Sequence, residues 1–218
     1  MATHSPAPAT PSSSPLSLSH YLADIDTSPL APFASLLPWQ LVGDVARIVR
    51  QWIATLPAEE YVIDGDVAIH RTATVEAGAV LKGPLIVGPV CFIAAGAYLR
   101  GGNWLDRGCS LGPGVELKSS FVFADAKLAH FNFVGDSIVG RNVNLEAGSI
   151  VANYRNERAD KEIRVRIDGV LFATGVEKFG ALIGDGARIG ANAVTAPGAL
   201  LRPGAVVQRA QLLDQELD

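Results

Sequence analysis

An all-β chain wound as a parallel β-helix is predicted by three features of the sequence: an apolar residue at every sixth position, glycines set between those markers, and no sustained helical or alternating period in the same stretch. The markers are Ile63, Ile69, Val75, Leu81, Val87, Ile93, Leu99, Leu105, Leu111, Leu117 and Phe123. The fourth residue after a marker is often small or apolar too, as at Val67, Ala73, Ala79, Cys91, Ala97, Cys109 and Val115. Each unit therefore offers two inward positions on a short strand. Gly78, Gly96, Gly108 and Gly114 fall where a tight corner calls for positive φ. If three units complete a triangular turn, residues eighteen apart stack on neighbouring coils, roughly 4.8 Å from one another.

The frame returns at Phe133, Val139, Leu145 and Val151, and again at Ile183, Ile189, Thr195, Leu201 and Val207. Two interruptions separate these blocks. Phe123 to Phe133 spans ten positions, one unit plus the four residues Ala129, His130, Phe131 and Asn132, which predicts a bulge in the wall. The second break, at about 156–180, holds the alternating run Ile163 to Ile167 followed by Asp168-Gly169, the signature of a β-hairpin projecting from the coil. The coil domain is thus expected over 61–212. Ahead of it, 1–37 is rich in Pro, Ser and Ala and reads as a flexible arm. Leu41, Val45, Ile48, Val49, Trp52, Ile53 and Leu56 then lie at helical spacing between Pro38 and Pro57, predicting a helix over 38–60 that caps the open first coil.

Composition sets the outer limits. The chain has 218 residues, 49% of them hydrophobic, enough for one sizeable core. A net charge of −4 argues against a nucleic-acid partner. No basic start followed by an unbroken apolar core marks a secretion signal, and no run approaches the ~18 apolar residues of a membrane span, so a cytoplasmic location is expected. Cys91 and Cys109 share one inward slot on adjacent coils and read as buried thiols filling the core. A trigonal zinc site of the kind carbonic anhydrases build on such coils needs three histidines, whereas only His70 and His130 lie among the repeats.

Lys82, Arg100 and Lys118 occupy the outward position after successive markers, eighteen apart, and so form one column. Like charges one strand apart repel. Either carboxylates neutralise them as a solvated ladder, or the column binds an anion such as a phosphate. His130 lies in the frame break, two units beyond Lys118. A loop histidine is commonly solvated, but imidazole also titrates near neutrality and can take a proton from an attacking amine or hydroxyl. Asn144, Asn153 and Tyr154 follow, and Lys178 lies where the coil restarts; amides near a basic column suit sugar hydroxyls, although asparagines also make turns.

The runs Ala129-His130-Phe131-Asn132-Phe133-Val134-Gly135-Asp136-Ser137 and Val143-Asn144-Leu145-Glu146-Ala147-Gly148-Ser149-Ile150-Val151-Ala152-Asn153-Tyr154 resemble the acetyltransferase half of the bifunctional N-acetylglucosamine-1-phosphate uridyltransferase / glucosamine-1-phosphate N-acetyltransferase family. The likeness runs from about Ile63 to Val207. It implies a left-handed coil and a homotrimer with active sites between subunits. It implies His130 as the catalytic base with the acidic Glu116 nearby, Arg100 and Lys118 as sugar-phosphate binders, and Phe133, Asn144, Asn153 and Lys178 as further sugar-site residues. Ala147 and Ala191 fall on the acetyl-CoA site. Phe133 stands where the family has a tyrosine, Glu146 replaces the first glycine of a Gly-Ala-Gly run, and Ala191 stands where serine is common. The implied activity is acetyl transfer from acetyl-CoA, without a metal, to the amine of a hexosamine 1-phosphate or a related sugar phosphate. O-acylation or longer-chain acylation of a sugar nucleotide, and a non-catalytic trimeric scaffold partnering a separate nucleotidyltransferase, are the alternatives. No Gly-rich nucleotide loop precedes the coil, so uridylyl transfer is not expected of this chain.

Overall fold

Short strands separated by turns stack from Val67 to Leu213 as a three-sided parallel coil in a computed structural model that describes residues 16–217. The first side carries Val67–His70, Leu85–Val87, Ile138–Val139, Ala181–Ile183 and Ala199–Leu201; the second is a separate seven-stranded sheet running from Thr74–Val75 to Val206–Val207. The third holds Val80–Leu81, Phe133–Gly135, Ile150–Val151, Val194–Thr195 and Leu212–Leu213. Two longer strands, Tyr98–Leu105 and Glu116–Val122, bend from the third side into the first of the next coil. One apolar residue per strand points inward, so Val87, Ile93, Leu99, Leu105, Leu111 and Leu117 form a continuous column of fully buried side chains. Each contributes about 1.5–3 kcal/mol of burial. Cys91 and Cys109 are free thiols in that core, their Sγ–H groups donating to the Asp106 and Phe123 carbonyls at 2.9 and 3.2 Å.

The frame itself departs from the sequence reading at two places. Inward residues run Leu117, Val122, Leu128, Val134, Val139, so two corners have lost one residue each and 129–132 is an ordinary corner rather than an insertion. Phe123 lies outside the coil, edge-on to Trp104 with ring centroids 5.4 Å apart. Phe133 faces outward between Glu116 and Ile150. The shortened corners turn on Ser119 (φ 48°) and Asp136 (φ 47°), single left-handed residues. The preceding coil uses the longer pair Gly101-Gly102 at the same corner. A compact turn through one polar residue replaces a looser turn through two glycines.

The N-terminal layer covers the first side. Leu18, Leu22, Ile25 and Leu30 are fully buried, so the segment from Leu16 to Leu37 is docked where a flexible arm was expected; 1–15 lie outside the described residues. Two helices follow, α1 (Pro38–Gly43) and α2 (Val45–Ile53). Rather than closing the end of the coil, they lie along its flank, with Trp52 edge-on to Trp104 at 5.7 Å and Trp39 edge-on to Phe179 at 5.8 Å. Contact is close enough that a Cβ on Gly102 (φ +100°) would sit 2.9 Å from the Ala46 Cα, so only glycine fits beneath α2. The first coil is edged instead by Tyr61–Asp64, antiparallel to Val67–His70.

The expected hairpin is present as Arg164–Ile167 paired antiparallel with Val170–Ala173 through Asp168-Gly169, both at positive φ. It does not project freely. Ile163, Val165 and Ile167 are buried in the outer cluster with Phe179 and Leu200.

Candidate active site

Arg100 and Lys118 occupy adjacent positions in the third side, paired in register exactly one rung apart as the eighteen-residue spacing predicts. They line a cavity of about 500 Å³ together with Phe133 and Asn153 from later coils and Tyr154, Glu177 and Lys178 from the two ends of the insertion. Lys82, the third member of the expected column, lies instead over the Tyr98 ring with its ammonium 5.0 Å from the centroid.

The cations are partnered by carboxylates, as the ladder reading requires, but on unequal terms. Arg100 donates to Glu116 from Nε at 2.8 Å and lies 2.7 Å from it at Nη2, with both side chains more than a third exposed. Such pairs are worth about 0–1 kcal/mol, so the guanidinium is cheaply released to an incoming anion. Lys118 sits between both oxygens of Asp136 at 2.6 and 2.8 Å, and these side chains are only 16% and 11% exposed. Asn153 donates its amide to the same Asp136 Oδ2. Lys118 is therefore held in place, while Arg100 and the exposed Lys178, which has no ion-pair partner among the described residues, remain available. Asp136 and Glu177 were not among the sequence candidates. Asp136 turns the shortened corner between Val134 and Val139, which the six-residue frame passes over, and Glu177 carries no local signal.

The remaining candidates lie on other parts of the coil. His130 is exposed on the corner between the second and third sides, its carbonyl accepting from Gly148 at 2.8 Å. Ala147 occupies the next rung of that corner and Ala191 the rung beyond, linked by Asn192 N–H to the Ala147 carbonyl and Ala210 N–H to the Ala191 carbonyl. Asn144 points outward from the second side between Lys127 and Arg188, bordering a separate cavity of about 180 Å³. Within one chain, then, the third-side strands run from the His130 corner at their start to the Arg100–Lys118 cavity at their end, and His130, Asn144, Ala147 and Ala191 do not line that cavity.

Glu146 shares the corner with Ala147. Its carboxylate accepts from Arg209 at 2.7 and 2.8 Å and from the Ala191 N–H at 2.8 Å, and these bonds, Arg209 first, hold its pKa below the ordinary glutamate range. An Arg209→Ala variant is expected to move the Glu146 carboxyl titration upward, toward that range, in carbon-detected NMR. Sign follows from the depression: the folded-state contribution of this contact is complete above the unfolded glutamate pKa and disappears as pH falls through the lower folded value.

With this geometry in place, the comparisons with known proteins are informative. No family model matches the chain. A bifunctional sugar-1-phosphate nucleotidylyltransferase/acetyltransferase of Sulfurisphaera tokodaii is 35% identical over 126 residues, covering 58% of this chain and 31% of that protein. The solenoid is related to such bifunctional proteins. The bifunctional protein GlmU of Methanococcus maripaludis is 28% identical over 157 residues, covering 69% of this chain and 37% of that relative. This hexapeptide-repeat chain thus spans about a third of the length of these two relatives. Among solved structures, an N-acyltransferase from Bacillus cereus in complex with dTDP and coenzyme A overlays with a TM-score of 0.43 at 13% identity, covering 65% of this chain and 75% of the other. Among the described residues no helix is long and apolar enough to cross a membrane.

Proposed function

We propose that the chain transfers an acetyl group from acetyl-CoA to the amine of a hexosamine 1-phosphate or a related sugar phosphate. The observation that carries this reading is the in-register Arg100–Lys118 pair, set in a cavity that also gathers Asn153 and Lys178. Arg100 and Lys178 meet the phosphate and sugar, with Lys118 fixed beside them; Asn153 and, from its own side, Asn144 address hydroxyls. The amine nitrogen attacks the thioester carbonyl, the C–N bond forms, the C–S bond breaks, and the ammonium-derived proton passes to the His130 imidazole and from there to the departing thiolate. The Ala147 and Ala191 corner supports the acetyl-CoA path along the same edge, with Glu116 bracing Arg100.

The separation of His130 from the cavity within one chain supports completion of the site by a second copy, in a homotrimer. One outward column of the third side reads Val80, Tyr98, Glu116, Phe133, Ile150, Val194, Leu212, each in register with the next and mostly apolar. Val80 and Leu212 are 43% and 66% exposed, and the helices cover a different side. Placing a carboxylate in the apolar later half of this column with Val194→Asp is expected to convert trimer to monomer in sedimentation velocity and to abolish turnover together; an unchanged mass removes this face as the contact.

The deciding experiment is release of coenzyme A thiol with glucosamine 1-phosphate and other aminosugar phosphates as acceptors. The Glu146–Arg209 pair on the corner proposed for the donor favours a second reading, a non-catalytic scaffold. Calorimetry separates the two: no heat with either coenzyme A or the sugar phosphate at millimolar concentration selects the scaffold.

A further inference from the structure

Both ends of the insertion supply cavity residues, yet its first leg is fastened not to the cavity but to the far end of the sequence. Arg155, immediately after the cavity-lining Asn153 and Tyr154, is 4% exposed and donates through both terminal nitrogens to Asp214 at 2.6 and 2.7 Å and to the Pro197 carbonyl at 3.2 Å. Glu216, nearly buried, takes Arg158 at 2.6 Å and Arg164 at 3.2 Å, and Arg166 donates to the backbone carbonyls of Gln215 and Glu216. Four arginines of the insertion thus converge on one three-residue stretch, 214–216. Lys161 secures the same leg by donating to the Arg155 and Asn156 carbonyls while lying 5.2 Å over the Tyr154 ring. From this leg the path into the cavity is short. The Asn153 carbonyl accepts the Phe179 N–H, Gly180 N–H donates to the Asp136 carbonyl, and the Asn153 amide holds the Asp136 carboxylate that fixes Lys118.

We propose that Asp214 and Glu216 are positioning residues for the cavity: through Arg155 they set the placement of Asn153 and Tyr154, and with it the Asp136–Lys118 pair and the Glu177–Lys178 wall. The acidic tail touches none of the cavity-lining residues directly in this scheme. It acts by denying Arg155 the solvated rotamers that would free the root of the insertion. A buried bidentate guanidinium–carboxylate pair is specific in geometry as well as charge, so a neutral amide at position 214 is a poor substitute and a longer carboxylate a partial one.

The kinetic arm of the test rests on the proposed acetyl transfer; the exchange arm does not. Hydrogen exchange of the full chain without substrate compares wild type with Asp214→Asn, with Asp214→Glu, and with the isosteric Glu216→Gln, which keeps the Arg155–Asp214 pair while weakening the contacts to Arg158 and Arg164 and serves if Asp214→Asn fails to fold. Expected is a loss of protection of about tenfold or more at the Phe179 and Gly180 amides, with Gly140 and Gly184 of the coil unchanged and partial recovery in Asp214→Glu. Steady-state assays should show KM for glucosamine 1-phosphate up by about tenfold while KM for acetyl-CoA stays within about twofold. Unchanged exchange at Phe179 and Gly180 overturns the clasp. Loosened exchange with an unmoved sugar-phosphate KM overturns its positioning role, and loosened exchange in the variants, with a wild type that turns over no acceptor, sinks the acetyl-transfer reading while leaving the clasp standing.

Discussion

Replacing His130 by alanine is expected to lower acetyl-CoA turnover by about 10²–10⁴-fold, the range a general base contributes, with sugar-phosphate binding unchanged by calorimetry. The side chain is exposed on a regular corner whose backbone is held by its neighbours, so its loss removes a proton acceptor without opening the core. Stability should accordingly stay within about 0.5 kcal/mol of the parent. A mixture of inactive His130→Ala and inactive Arg100→Ala chains offers a sharper check. If the site is completed between subunits, mixed trimers contain intact pairings and regain activity that neither parent has. Full turnover by His130→Ala alone would remove the imidazole from the chemistry.

The second large effect falls on stability. Arg155→Ala is expected to cost about 3–5 kcal/mol, because the Asp214 carboxylate, only 12% exposed, loses its bidentate partner, while Glu216 keeps Arg158 and Arg164. For a chain of this length that corresponds to a fall of roughly 10 °C in Tm by calorimetry. Arg202→Ala provides the contrast: its pair with Asp168 at 3.3 Å is 79% and 80% exposed, and its removal should shift stability by less than about 1 kcal/mol. Arg155 also holds the Asp214 carboxyl below its usual range, chiefly by hydrogen bonding. The clasp is therefore complete at neutral pH and is lost only as pH falls below the ordinary aspartate range through the depressed folded value. Equal Tm values for the two arginine variants would show that burial adds nothing to the Arg155 pair.

How much of this was legible in the sequence divides along physical lines. The six-residue period reports which side chains face inward, and the inward column from Ile69 to Leu117 follows it without exception, because stacking each coil on the last enforces one repeat length. The same stacking made the Arg100–Lys118 juxtaposition readable from spacing alone. The phase was lost after Leu117, since a corner one residue shorter leaves no mark when the left-handed residue is Ser119 or Asp136 instead of glycine. Phe123 and Phe133 then occupied the expected frame while pointing outward. The docked segment carried a signal that composition obscured, for Leu18, Leu22 and Ile25 are spaced for one buried stripe amid serine and proline. Arg155 and Asp214 are 59 positions apart, and only the folded insertion makes them neighbours. Asn144 lies on the second side and His130 on an ordinary corner rather than the expected bulge, so spacing along one chain does not bring either to the Arg100–Lys118 cavity.

The flank sealed by α1 and α2 also limits what the coil can build. An uncovered triangular prism has three lateral walls on which identical prisms might lean, a geometry that permits branching, sheet-like growth. With one wall occupied by the chain's own aromatic layer, each prism has two walls left, and a closed ring uses both. If the chain forms the proposed trimer, stripping that layer away should therefore turn a finite particle into one that keeps adding members.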